Sequence, residues 1–243
     1  MDRLNIDYIQ KCDDINKLFN IIEMEYTIDI MKAKNEYYLE SSLIKQRKNN
    51  ILFEDSKEKS ESSGFKKYIK GIFQAIINFI ENTIDSIKEL FIKKKNITID
   101  DYMNSTSGQL KMDKDIDKLS KAINEDMKAG NKLIYSIASK VGGVSEKEVD
   151  DFIDKSKDKI KKIGPATIIS GGAKFLTYNA IAGDLNNQKK TIKNSQNVII
   201  GTTDLNDESE GLISKISSHL SNLTHLYGNE VMKVYKKLLN NRR

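Results

Sequence analysis

The chain has 243 residues, of which 38% are hydrophobic and 31% charged, a composition that predicts a thin core of packed helices. Its single proline and its sparse glycines and aromatic residues exclude a turn-rich β-sandwich or barrel. The net charge of +5 arises from 40 basic and 35 acidic residues mixed along the chain, which indicates a solvated surface rather than a basic binding patch.

Cysteine content and the N-terminal sequence narrow the class of protein further. Cys12 is the only cysteine, so an internal disulfide and a disulfide-stapled secreted fold are excluded. The first ten residues lack the apolar core of a signal peptide, and no run of about 18 apolar residues exists that would span a membrane. We therefore expect a protein made in a cytoplasm, without a transmembrane helix.

The first 54 residues predict a helix, or a helical hairpin, that reaches to about Arg47. Apolar residues recur there every three or four positions, which is the spacing of a seam that packs against a helix of the same chain or of another copy. Residues 55–64 are polar, small and charged, and they predict a linker. The seam consists of Leu4, Tyr8, Cys12, Ile15, Phe19, Ile22, Tyr26, Ile30, Ala33 and Tyr37.

The third region, residues 65–163, opens with the most pronounced pattern in the chain, an amphipathic helix from Phe65 to Lys95 that would be about 46 Å long. Its apolar stripe would be covered by the rest of the chain, by a partner protein or by a membrane surface. Lysines at both ends favour the membrane surface, and acidic residues on the polar face oppose it. The predicted interaction residues are Phe65, Ile69, Ile72, Ile76, Ile80, Ile84, Ile87 and Phe91, which form the apolar stripe, with Lys66, Lys67 and Lys70.

Shorter helices are predicted after this one. A capping-box pattern, in which Ser145 precedes Glu148 by three residues, predicts the start of one of them, and Gly142 and Gly143 predict the end of the helix before it. The other predicted elements are a short helix capped by Thr98, a turn over 105–108, and helices over 113–127 and 132–141 divided by Gly130 and Asn131.

The last region, residues 164–243, begins with a segment unlike the rest. From Pro165 to Gly183 it carries one charge among many small residues, which predicts a buried central helix that other helices approach closely. A strand around Ile168 and Ile169 is the alternative, and 198–200 leave a similar ambiguity. A regular helical period from Ile213 to Leu238 predicts a C-terminal helix.

The sequence motifs that would indicate a metal, nucleotide or catalytic site are incomplete. His219 and His225 are six residues apart on one predicted helix, whereas zinc ligands on a helix are three or four apart, so we expect two partly exposed helix histidines. The segment 171–174 lacks the spacing of a phosphate loop, and Ser42 with Lys45 lacks the companion elements of a serine nucleophile site. We therefore expect no enzymatic activity, cofactor, metal or small-molecule substrate.

A segment from Ile137 to Val149, IASKVGGVSEKEV, is similar to the helix-turn-helix of repressor-like DNA-binding proteins. It has one residue too many before Val144, and acidic residues outnumber lysines on its second helix. DNA phosphates would repel that helix, which favours a structural helical hairpin.

The polar linker, the lysine-flanked helix from Gly64 to Lys95 and the segment IDDYMNSTSGQLK from Ile99 to Lys111 together resemble structural or internal virion proteins of tailed bacteriophages that infect low-GC Gram-positive bacteria. The resemblance covers about residues 65–163. It implies a non-enzymatic protein packaged in the phage particle or attached to it. The partners would be other virion proteins or further copies of the chain, with weak non-specific contact to nucleic acid or a membrane surface.

The sequence therefore predicts an all-α protein, an elongated multi-helix bundle with a long amphipathic helix. Its predicted role is helix-mediated assembly as a virion protein made in the host cytoplasm. The alternatives are a membrane-active helical protein of the pore-forming type and, third, a DNA-binding regulator.

Overall fold

The computed structural model describes residues 3–50, 58–92, 109–169, 177–203 and 205–240. These residues form an all-α bundle with one small sheet, which confirms the predicted fold class. The elements, in chain order, are α1 (Arg3–Asn50), α2 (Glu58–Ile92), β1 (Gln109–Met112), α3 (Ile116–Ala138), α4 (Glu146–Lys161), β2 (Ala166–Ile169), α5 (Tyr178–Gly201) and α6 (Asp207–Asn240).

The core is organised around α2, which packs against α1, α5 and α6. Helices α5 and α6 also pack against α3, and α4 covers α3 and α6 from the other side. Side chains from every one of these helices join a single hydrophobic core cluster. The two long terminal helices and α2 therefore belong to the same packed body as the shorter helices between them.

Helix α1 is one continuous helix, which decides between the helix and the hairpin that the sequence allowed. Neither glycine nor proline occurs between Arg3 and Asn50 to interrupt it. The predicted seam, here called the inner seam, faces the bundle wherever its side chains are described. Its buried members are Phe19, Ile22, Tyr26 and Ala33, and Ile30 and Tyr37 are partly buried.

Helix α2 begins at Glu58, inside the segment predicted as a linker. Residues 58–64 are therefore helical, and this part of the linker prediction is wrong. The segment contains no proline, and its glutamate and lysine are good helix formers, so the amphipathic helix extends backwards through it. Residues 55–57 of the predicted linker lie outside the described residues, as do the short helix at Thr98 and the turn over 105–108.

Helix α3 runs unbroken through Gly130 and Asn131, so the predicted division into two helices is wrong. Gly130 is required by the neighbouring helix instead: a Cβ atom there would lie 2.7 Å from Leu220 Cδ2 on α6. Asn131 is also used between helices, since its Oδ1 accepts a hydrogen bond from Ser195 Oγ on α5 at 2.7 Å. Both residues are explained by helix packing, not by a turn.

The turn between α3 and α4 contains the two predicted glycines, but α3 ends at Ala138, before the predicted end at 141, and Lys140 already has a positive φ of 54°. Gly142 and Gly143 adopt positive φ angles of 90° and 53°, which favour glycine. Ser145 caps α4, and its side chain accepts a hydrogen bond from the Glu148 backbone N–H at 3.2 Å. The helix-turn-helix-like segment is thus a helical hairpin whose second helix begins at a satisfied N-cap.

The segment after Pro165 contains a strand, so the predicted buried central helix is wrong over 166–169 and the alternative is correct. Strand β2 pairs antiparallel with β1, with Leu110 opposite Ile168. Residues 170–176 lie outside the described residues. The last residues of the segment, from Tyr178, form the start of α5, and Gly183 there is exposed rather than closely packed. Residues 198–200, which the sequence left ambiguous, are helical.

Helix α6 confirms the predicted C-terminal helix. All of its predicted core positions are buried, because the helical period is maintained without interruption over seven turns or so. They are Ile213, Ile216, Leu220, Leu223, Tyr227, Val231, Val234 and Leu238.

Candidate interaction surface

The apolar stripe of α2 lies inside the bundle. Six of its residues are at most 1% exposed, and Ile84 is partly buried against the core. The structure therefore agrees with the first of the three interpretations, a core helix. That the stripe residues contact a partner or a membrane stays a prediction. Such a contact would require the bundle to open. The six are Phe65, Ile69, Ile72, Ile76, Ile80 and Ile87; the Phe91 side chain lies outside the described ones.

The predicted interaction lysines flank the stripe on the outside of the bundle. Lys66 is half-buried, and its Nζ donates a hydrogen bond to the backbone oxygen of Ile200 on α5 at 3.2 Å. Lys67 and Lys70 are exposed. The structure thus separates the predicted set: Lys67 and Lys70 are on the surface and Lys66 is partly so, while the described residues of the apolar stripe are inside the bundle.

A second apolar surface, which sequence reasoning missed, lies on α1 opposite the inner seam. We call it the outer seam. Its large side chains are between 44% and 67% exposed, and they recur at alternating intervals of three and four residues. Asn35 occupies the one polar position in this series. The outer seam consists of Ile21, Met24, Ile28, Met31 and Tyr38, with Leu39 next to Tyr38.

Contacts on the inner seam fix the direction in which the outer seam points. The Tyr26 hydroxyl lies 2.5 Å from Ser221 Oγ on α6, and the Tyr26 ring stacks on His225 with centroids 4.4 Å apart. Further along α1, Tyr37 stacks on Tyr68 of α2 at 4.6 Å. These contacts prevent α1 from rotating about its axis, so the outer seam is held toward solvent.

The outer seam left a signal in the sequence, but one that was hard to read. The run from Leu18 to Met31 is apolar on both faces of the helix, so the spacing of one face is obscured by that of the other. The two seams can be distinguished only when it is known which face of α1 packs against the bundle.

The chain also contains a buried polar cluster between α3, α4 and α6. Ser156 Oγ donates to Asp126 Oδ2 at 2.7 Å, and His219 Nε2 lies 2.8 Å from the same Ser156 oxygen. Lys159 Nζ completes the cluster at 2.6 Å from Asp126 Oδ1. These residue types resemble a catalytic triad, but in a triad the histidine lies between the carboxylate and the serine. Here the serine is in the middle and 2% exposed, and the hydrogen bonds of the cluster connect α3, α4 and α6.

His219 is buried at 6% exposure, so the prediction of a partly exposed histidine is wrong for this residue. The reason is α4, whose Ser156 and Phe152 contact the imidazole ring. Burial lowers the pKa of His219, a lowering to which Lys157 adds and which Asp126 opposes. His225 is half-buried between Tyr26 and Phe79, and burial lowers its pKa as well, against the charge of Glu23.

These two lowered pKa values predict a dependence of stability on pH. Both histidines have a higher pKa in the unfolded chain, so unfolding takes up protons below about pH 6.5. Stability is therefore complete above that pH and is lost as the pH falls toward the lower folded pKa values. Each histidine contributes a slope of up to about 1.4 kcal/mol per pH unit. Urea unfolding between pH 5 and pH 8 is expected to show a plateau above pH 6.5, and His219→Gln to reduce the slope below it.

His225→Gln is the matched comparison, because these are the chain's two histidines. Each variant is expected to remove part of the slope, and the double variant to leave only the contribution of carboxylates. Identical slopes in the wild-type chain and the double variant would contradict the assignment.

A second polar cluster lines an open pocket of about 450 Å³ between α3, α5 and α6. Asp184 Oδ2 accepts hydrogen bonds from Ser120 Oγ at 2.6 Å and from the Tyr227 hydroxyl at 3.0 Å. Burial, followed by the charge of Asp184, strongly raises the pKa of Tyr227. The tyrosine therefore keeps its proton at neutral pH and donates it to the carboxylate, which makes the cluster another connection between helices.

Two acidic residues of the helical hairpin of α3 and α4 form salt bridges with another helix of the chain. Lys215 of α6 pairs with Glu146 at 2.6 Å and with Asp150 at 3.1 Å, both near the start of α4. This part of the helix that resembled a recognition helix therefore faces α6. DNA binding through the hairpin stays a prediction.

The described residues thus define an all-α bundle with one exposed apolar helix face. Among them, no group of three or more histidine, cysteine, aspartate or glutamate side chains is arranged to hold a metal ion. No described helix has a stretch that is both apolar and long enough to cross a membrane. No protein family, curated protein or solved structure matches this chain.

Proposed function

We propose that this chain is a non-catalytic protein that acts by helix-mediated assembly, as a structural or internal component of a phage particle. The observation that carries the proposal is the outer seam of α1. A folded bundle with a well-covered core has no need of a further row of large apolar side chains in water, and such rows mark interaction sites. The place in a virion is suggested by the resemblance of residues 65–163 to phage virion proteins.

The burial of the α2 stripe favours assembly over membrane attack. A lytic helix must present its apolar face to lipid, whereas this stripe is covered by α1, α5 and α6. Opening the bundle would expose at least six large apolar side chains, each worth about 1.5–3 kcal/mol when buried. The outer seam offers an apolar contact without that cost, and so it is the surface on which assembly would depend.

The test is incorporation into particles. A gene for the wild-type chain and one for the variant Met24→Glu with Met31→Glu are each expressed during phage growth, and the proteins of purified particles are identified by mass spectrometry. We expect the wild-type chain in the particles and at least about a tenfold loss of the variant, since charges on an apolar contact surface are costly to bury.

The matched control is Asn186→Glu with Asn194→Glu, which adds the same charge at exposed positions of α5. It should be incorporated like the wild-type chain. Absence of the wild-type chain from the particles would end the virion proposal. Release of a dye from anionic phospholipid vesicles by the folded wild-type chain would instead support the membrane-active alternative.

A further inference from the structure

The outer seam also indicates which partner it fits. We infer that a second copy of this chain covers it, through an antiparallel two-helix coiled coil formed by the two α1 helices. This inference rests on the proposed function and names the first assembly step. It follows from the spacing of the seam, from its extent and from the charges beside it.

The spacing is that of a coiled coil. The seam positions are separated by three, four, three, four and three residues, which is the seven-residue repeat that keeps one helix face on a partner. Lys17 and Ser42, the next positions of the same repeat, are exposed polar residues and end the seam. The contact would therefore be about 26 Å long, and the positions within it are Ile21, Met24, Ile28, Met31, Asn35 and Tyr38.

The extent of the exposed apolar surface suits a protein partner. Six large apolar side chains of the outer seam are 44–67% exposed, and a standard interface buries about 800 Å² on each partner. A seam of this kind is self-complementary about a two-fold axis, so a second copy covers both surfaces at once. A small ligand would leave most of the row in water.

The charges beside the seam select the antiparallel orientation. Glu25 lies at the edge of the seam in its N-terminal half, where its Oε2 also accepts a hydrogen bond from Asn82 Nδ2 of α2 at 3.3 Å, and Lys32 lies at the same edge seven residues later. A two-fold axis between Ile28 and Met31 brings Glu25 of each chain beside Lys32 of the other, which gives two opposite-charge contacts. A parallel pair would place Glu25 beside Asn20 and Lys32 beside Thr27, with no such contact.

The antiparallel register pairs all six positions of the seven-residue repeat. It places Ile21 against Tyr38 of the second copy, and Ile28 against Met31. Met24 then faces Asn35, whose amide is near the end of the contact and keeps access to water. The inner seam takes no part, since the contacts of Tyr26 and Tyr37 with the bundle are on the opposite side of α1.

The first experiment measures the mass of the full chain in solution by sedimentation equilibrium over a range of concentrations. The wild-type chain is expected to be a dimer in the micromolar range. Met24→Glu with Met31→Glu should weaken dimerisation by at least about 100-fold, because each dimer would place two carboxylates against Ile28 at the apolar centre of the contact and two more in the Met24–Asn35 layers. Asn186→Glu with Asn194→Glu should leave it unchanged, and circular dichroism should show equal helix content in all three proteins.

The second experiment tests the orientation by disulfide cross-linking in a Cys12→Ser background. Ile21→Cys together with Tyr38→Cys is expected to give a covalent dimer on mild oxidation. Either cysteine alone should not, because in the antiparallel register each faces the other position. Cross-linking of the single Ile21→Cys variant through itself would show a parallel pair and overturn the inferred geometry.

The outcomes separate this inference from the proposed function. A wild-type chain that stays monomeric at high concentration, but still enters particles through the outer seam, would show that another protein covers the seam and that the inference is wrong. A dimer that is absent from particles would support the inference and contradict the virion function. A dimer unaffected by the Met24 and Met31 substitutions would place self-association elsewhere and overturn the inference.

Discussion

Ile76→Ala is expected to lower the free energy of unfolding by about 3–4 kcal/mol, within the range of large-to-small substitutions in a packed core. Ile76 is at the middle of the α2 stripe and is fully buried. Removing its three outer carbons leaves a cavity in the layer where α2 meets its neighbours, and helices held by contacts on several sides close such a cavity poorly. Urea unfolding followed by circular dichroism measures the loss as a lower midpoint at constant m-value.

The comparison that gives this result its meaning is Ile200→Ala. Ile200 has the same side chain and also lies on a helix, α5, but it is 44% exposed and belongs to neither seam. Its substitution is expected to change stability by less than about 0.5 kcal/mol. Equal small effects at both positions would mean that the α2 stripe is not part of the core and would restore its interpretation as a partner-binding surface.

The helices that could be predicted from the sequence are those whose apolar residues all lie on one face. The α2 stripe and the core positions of α6 follow a helical period over many turns, so the buried face could be identified without knowing what covers it. The turn at Gly142 and Gly143 and the Ser145 cap could be predicted because their signals are local.

The remaining features depend on neighbours that the sequence does not place. Gly130 looks like a helix break until Leu220 is found against it. His219 looks exposed until α4 covers it with Ser156 and Phe152. Strand β1 has only four residues, Gln109–Met112, which is too short for its alternation of exposed and buried side chains to stand out.

The candidate site itself was the least accessible to sequence reasoning. The α2 stripe was the most visible apolar surface, but a visible stripe in a folded chain is more often covered than free. The outer seam is visible only by elimination, after the inner seam has been assigned to the bundle through Tyr26 and Tyr37. The proposed interaction surface therefore rests on an exposed apolar face of a packed helix, and not on the strongest amphipathic pattern of the sequence.

Gly228→Ala is expected to destabilise the bundle by about 2–3 kcal/mol, although alanine is the better helix former. A Cβ atom at Gly228 of α6 would lie 2.5 Å from Cε1 and 2.7 Å from Cζ of Phe79 on α2. The Phe79 ring is rigidly held, because Tyr26 and His225 pack against it with centroids 5.1 Å and 5.0 Å away. The clash must therefore be relieved by moving α6 away from α2, which loosens contacts along both helices.

Two further variants show whether this contact is the cause. Gly211→Ala lies on the same helix with no atom within 4 Å of its Cβ position, and it is expected to stabilise the chain by about 0.5–1 kcal/mol. Replacing the Phe79 ring with the smaller leucine side chain (Phe79→Leu) should make room for the methyl group of Gly228→Ala. The double variant is then less destabilised than the sum of the single variants by at least about 1 kcal/mol. Strict additivity in this cycle would show that α6 does not approach α2 at Gly228, and the packing between these two helices would have to be reassigned.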